Sequence, residues 1–164
     1  MPIENSQDSL HITCNQLADF LERCAEELIS AWLKRVREDS GVPSDALSKL
    51  ELVDHVPKIV EAMIQALRKQ CSEKTTEQVQ DVTARHTIIR WVQSYDLEAV
   101  LREVSLLRAE FVHQLEVFDT EHPEHGNEAR LFNAATIHRL LDEIETDATE
   151  TFNSLKDRAR KQDV

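Results

Sequence analysis

Glycine is scarce in this 164-residue chain, with 2 copies, and proline is represented by only 4. Tight turns and hairpins draw on both residues, because glycine reaches positive φ freely and proline presets the first turn position. A chain so poor in them has few turns and long helices. Basic residues are also in deficit: 19 Lys and Arg stand against 31 Asp and Glu, a formal net charge of −12. That excludes a nucleic-acid partner, which would need clustered Lys and Arg for phosphate, and disfavours an anionic membrane. The three cysteines, Cys14, Cys24 and Cys71, show no CxxC spacing, so a disulfide framework is not expected and a reducing compartment fits. No apolar stretch approaches the roughly 20 residues needed to span a bilayer. No charged segment followed by an apolar run opens the chain as a secretory signal would. A cytoplasmic domain without a membrane span is the expectation.

What is present points one way. Hydrophobic residues make up 41% and charged residues 30%, rich in the Glu, Arg, Lys, Ala and Leu of helical bundles. The expected fold is all-α, a single domain over 1–164 built as a bundle of about five helices.

Cys14, Leu17, Leu21, Cys24, Leu28, Trp32 and Val36 recur at steps of three and four, one helical face sustained to about Glu38. Residues 1–12 are polar and read as flexible. Gly41, able to take positive φ, and Pro43 stop this helix, and residues 44–49 read as a short turn. Asp54 is placed to cap the next helix, with Pro57 in its first turn. Its stripe is Val56, Ile59, Val60, Met63 and Leu67, fading near Cys71, and a polar link follows over 72–76. A third helix runs from about Thr76 to Ser94, with Val79, Val82, His86, Ile89 and Val92 on one face. Asp96 can cap a fourth helix whose stripe runs from Leu97 through Val104, Leu107 and Phe111 to Phe118.

After a loop over 120–127, the last helix spans 128–160. It is longer than a globular domain usually needs. Ile137, Leu141, Ile144, Ala148, Thr151 and Leu155 repeat about every 3.5 residues, the spacing of a helix seam. Two readings stand. It is a long bundle helix with a frayed end, or it pairs with a second chain or runs on into an output domain.

The stretch 84–108 holds the densest run of costly side chains. His86, Arg90, Tyr95, Glu103 and Arg108 form the candidate ligand or signal site. A His on an apolar stripe must pair its ring nitrogens or cost a few kcal/mol. Arg90 lies one turn on, and Glu103 or Tyr95 can approach from the neighbouring helix. Such a His is a core residue locked in a polar network, or a sensor of ligand or pH, since it titrates near neutrality. A phosphoacceptor His would be exposed and followed by Lys and then Gly; here Thr87-Ile88-Ile89-Arg90-Trp91 follows. A haem sensor would want a pocket rich in Phe, and the chain has 5 in all. Glu121-His122-Pro123-Glu124-His125 has zinc-ligand types, but on a surface loop such a run more often takes adventitious metal. With no Gly-rich phosphate loop, nucleophile elbow or HExxH motif, neither an enzyme nor a cofactor is expected.

Three spaced motifs carry a resemblance: Trp32-Leu33-Lys34-Arg35-Val36-Arg37; Leu52-Val53-Asp54-His55-Val56-Pro57-Lys58-Ile59-Val60; and the set His86, Arg90, Tyr95-Asp96-Leu97, Leu101-Arg102-Glu103, Leu106-Leu107-Arg108. Together they resemble the N-terminal domain of RsbRD-type co-antagonist proteins, a helical sensory module also found before bacterial histidine kinases. The resemblance covers residues 17–155. It implies a non-catalytic, cytoplasmic, dimeric input domain that signals through its last helix to a kinase or stress-response output. That family usually has Gly before the Tyr, where this chain has Ser94. It also has a Ser cap with Glu three residues on, where this chain has Asp96 and Ala99. No ligand carries over. The reading from composition alone is a stand-alone interaction module whose acidic surface meets a basic partner.

Overall fold

The computed structural model describes residues 3–69 and 73–162, with side chains from Gln7 onward. Among the described residues there are helices and no strand. The order is α1 (Ile3–Arg23), α2 (Ala25–Glu38), the five-residue α3 (Lys49–Val53), α4 (Val56–Arg68), α5 (Glu73–Val92), α6 (Leu97–Glu121) and α7 (Asn127–Gln162). The all-α bundle with a long last helix is as expected, but with six long helices and one short one rather than about five.

The extra long helix comes from a break at Cys24, where φ −103° and ψ 11° interrupt the first apolar stripe. No Gly or Pro marks it. The stripe itself survives the break, and Leu17, Leu21, Leu28, Trp32 and Val36 are all buried. Residues 3–12, polar enough to read as flexible, are the first turns of α1; once the packed part has nucleated a helix, each further residue adds a hydrogen bond. Gly41 does not use positive φ. Its lack of a side chain admits Arg102, whose Cδ and Nε lie 2.7 Å from where a Cβ would stand.

The short helix lies over 49–53 rather than 44–49, and its start is a capping box. Ser48 Oγ accepts from Glu51 N, and Glu51 Oε2 accepts from Ser48 N at 2.7 Å. Asp54 therefore ends α3 instead of capping α4, whose N-cap is His55 with no side-chain cap bond. Pro57 sits in the first turn of α4. Cys71 and Ser72, where the α4 stripe is expected to fade and the polar link to begin, lie outside the described residues. From Glu73 the chain is already helical.

The core gathers around α4 and α7. Eight of the 13 residues of α4 are buried, the mark of a helix with neighbours on most sides. α7 packs against α1, α4, α5 and α6, and uses Ile137, Leu140, Leu141, Ile144, Ala148 and Phe152 to do so. The 3.5-residue seam is thus spent inside the bundle as far as Ala148. Past Phe152 no described residue of α7 is buried.

Candidate functional site

The corner between α5 and α6 sets the geometry. Tyr95 N donates to Arg90 O at 2.9 Å and Ser94 N to Trp91 O at 3.0 Å, the paired bonds of a helix end that turns through a left-handed residue. That residue is Ser94, with φ 66°. The position suits glycine, because a Cβ costs about 1–2 kcal/mol there. Glycine gives back about 0.5–1 kcal/mol through its freedom in the unfolded chain. Ser94→Gly is expected to stabilise the domain by about 0.5–1 kcal/mol, read as a higher urea midpoint with an unchanged m-value. Asp96 then caps α6, its Oδ1 accepting from Ala99 N at 2.8 Å.

This corner keeps the end of α5 near the start of α6, so that one carboxylate meets an imidazole and a guanidinium. Glu103 Oε2 accepts from Arg90 Nε at 2.8 Å and faces His86 Nε2 at 3.1 Å. Arg90 and Glu103 are each 1% exposed, and His86 is buried with them. The Arg90 guanidinium also donates to Leu52 O at 2.8 Å, Glu51 O at 3.2 Å and Gln93 Oε1 at 2.7 Å. Those carbonyls lie at the end of α3, so Arg90 ties α3 to α5. Trp32 Nε1 donates to the backbone oxygen of Glu103 at 3.1 Å, adding α2. The Arg90 guanidinium stands 5.2 Å from the Tyr95 ring centroid. His55, at the start of α4, lies close enough to feel the charges of His86 and Arg90, and burial holds its pKa below the usual value.

Electrostatics follow from this packing. Burial alone would push the Glu103 carboxyl up. The hydrogen bond from His86, the charges of His86 and Arg90 and the Arg90 hydrogen bond outweigh it and hold Glu103 below the usual carboxylate range. Burial, with the Glu103 charge second, raises the Tyr95 phenol. Three polar atoms stay unpaired here: His86 Nδ1, Tyr95 Oη and Glu103 Oε1.

Of the five residues expected at this site, the structure brings together His86, Arg90, Tyr95 and Glu103. Arg108 is elsewhere. Three and a half turns after the corner, it lies on the surface between α6 and α7, donating to His138 Nδ1 (3.0 Å), Asp142 (2.7 Å) and Glu145 (3.1 Å). Spacing on the helix separates them: Arg108 stands five residues after Glu103 and so points to a different side of α6. Trp32, Gln93 and the α3 carbonyls were not legible as partners. Backbone oxygens leave no mark in a sequence. Ser48 and Glu51, three residues apart, are the one pair there that could have signalled a short helix.

The arrangement limits the chemistry. His86 is buried, out of reach of a phosphoryl donor, and its Nε2 is engaged with Glu103. In the 121–125 loop, His122 and His125 stack on each other with ring centroids 5.1 Å apart, beside Phe118. Among the described residues no group of three or more His, Cys, Asp or Glu is placed to hold a metal ion. No described helix is long and apolar enough to cross a membrane.

Comparison with curated proteins and with solved structures gives no match. The family model described as RsbT co-antagonist protein rsbRD N-terminal domain matches residues 26–163. That span opens at the start of α2 and takes in every member of the buried cluster, while α1 lies outside it. The chain belongs to this family of regulatory N-terminal domains.

Proposed function

We propose that this is a non-catalytic cytoplasmic input domain that works as a dimer and relays a signal through α7 to a histidine kinase or stress-response output. The observation that carries the reading is the Glu103 carboxylate and what it joins. Through His86 and Arg90 it links α3, α5 and α6, so none of these helices can shift without re-pairing a buried charge, while Trp32 ties α2 to the Glu103 backbone oxygen. Buried charges tolerate few arrangements, which makes such a cluster a place where a bundle changes between discrete states. A ligand or protonation event moves the balance between states only by favouring one of them unequally. α7 packs on four helices and carries their arrangement along its length to its exposed last turns.

The test joins α7 in helical register to a histidine kinase output and compares His86→Leu with the unsubstituted domain. The variant is expected to fold, as read by urea unfolding, while kinase output shifts because Glu103 has lost one of its two cationic neighbours. A folded His86→Leu domain with unchanged output overturns the relay role of the cluster. A thermal-shift screen of small polar metabolites supplies the ligand arm, since a ligand of the folded state raises the melting temperature by mass action.

A further inference from the structure

We propose that the outer face of α5 is the surface on which a second copy of this chain packs, a placement that rests on the dimeric reading above. The seam of α7 is not free for this purpose: Ile137, Leu141, Ile144 and Ala148 are at most 1% exposed within their own bundle. α5 offers what α7 does not. Ile88 is 43% and Val92 75% exposed, one turn apart on the side of α5 turned away from the buried cluster. Val92 belongs to the face expected from periodicity to be buried. The inward place is taken instead by Trp91, whose ring meets Phe152 of α7 edge-on at 4.9 Å.

Upstream, Asp81 and Arg85 continue the same stripe, so residues 81, 85, 88 and 92 follow steps of four, three and four. That is the spacing of a two-helix seam. Charge favours a second copy on this stripe. A chain of net charge −12 repels its like over most approaches, but Asp81 Oδ2 and Arg85 Nη2 pair at 3.2 Å and leave this stripe neutral. The other large exposed apolar residues, Ile12, Leu50 and Leu131, stand singly on α1, α3 and α7, as scattered surface residues do. The same helix thus presents His86 and Arg90 inward and the seam outward. A change in how the cluster holds α5 would reach the partner directly.

Sedimentation equilibrium and size-exclusion light scattering test this on the whole chain. The unsubstituted protein is expected to dimerise, and the double variant Ile88→Asp with Val92→Asp to self-associate at least a hundredfold more weakly with the same far-UV circular dichroism. Leu131→Asp, on the outside of α7, is expected to dimerise as the unsubstituted chain does. Val92→Cys should cross-link between copies under mild oxidation. A dimer that survives the double substitution and does not cross-link at position 92 overturns this face and leaves the dimeric reading standing. An unsubstituted chain that stays monomeric at high concentration overturns both.

Discussion

Arg90→Met is expected to lower the unfolding free energy by about 3–5 kcal/mol at neutral pH, because it strands a buried partner charge. Methionine fills much of the volume of the arginine stem, so little of the loss comes from packing. What goes is the guanidinium, and with it the donors to Glu103, Leu52 O and Glu51 O. Each carbonyl left dry costs about 1–3 kcal/mol if water cannot reach it. The deficit carries a definite pH dependence. In the unsubstituted protein Glu103 lies below its ordinary value of 4.5. Its contribution is present above that value and is lost as pH falls through the folded-state pKa. Without Arg90, burial is opposed mainly by His86, and the carboxyl moves up. A raised folded-state pKa gives stability that is present at low pH and lost as pH rises. The gap between the two proteins should therefore narrow from pH 7 to pH 5 in urea unfolding. Adding Glu103→Leu to Arg90→Met should recover part of the loss, since removing both members of a buried pair costs less than removing one. A gap under about 1 kcal/mol at pH 7, or one that widens on acidification, would show that the pair does not hold the corner.

How far the sequence carried this result depends on which kind of information each feature needs. Helix faces were legible wherever apolar residues recur at three and four, as in Val100, Val104, Leu107, Phe111, Leu115 and Phe118 of α6. The cap at Asp96 was legible, but the capping box of Ser48 and Glu51 was not read, and Asp54 was expected to cap α4 where it ends α3. The break at Cys24 was not, because it has no composition signal and the stripe runs through it. His86, Arg90, Tyr95 and Glu103 could be assembled from one stretch because a short corner keeps the end of α5 near the start of α6, so long side chains on either side of it meet. Arg108 shows the limit of that logic: it shares the stretch but not the side of α6. The exposure of Val92 marks another limit. Periodicity assigns a face, and only the packing of Trp91 on Phe152 decides where that face ends. The departure at Ser94 from the family's usual glycine turned out to have a direct structural meaning, a serine held at φ 66°.

Phe118→Ala is expected to cost about 3–5 kcal/mol, the range for emptying a wholly buried aromatic site that can only partly collapse. Phe118 is fully buried near the end of α6, and three rings surround it: Phe20 of α1 with centroids 5.4 Å apart, His122 at 4.3 Å and His125 at 5.5 Å. Tilted contacts of this kind add to the area term. His122 also has its Nδ1 2.9 Å from Phe118 O, so the ring and the helix end are held together. The loss should be uneven in space. α1 lies outside the residues matched by the family model, and Phe20 is its contact with the Phe118 ring. α4 and α7 also hold α1, so the substitution should loosen α1 without detaching it, and should leave the rest folded. Local opening of this sort has a lower free energy than global unfolding. In the variant, limited proteolysis should cut within α1 well before it cuts α5 or α6, and amide exchange should rise first over residues 14–21. Leu131→Ala, on an exposed site at the start of the same α7, should stay within about 0.5 kcal/mol of the unsubstituted protein. If Phe118→Ala instead opens α5 and α6 as readily as α1, the bundle melts as one unit. In that case the cluster around Glu103 would have no independence from the far end of the molecule.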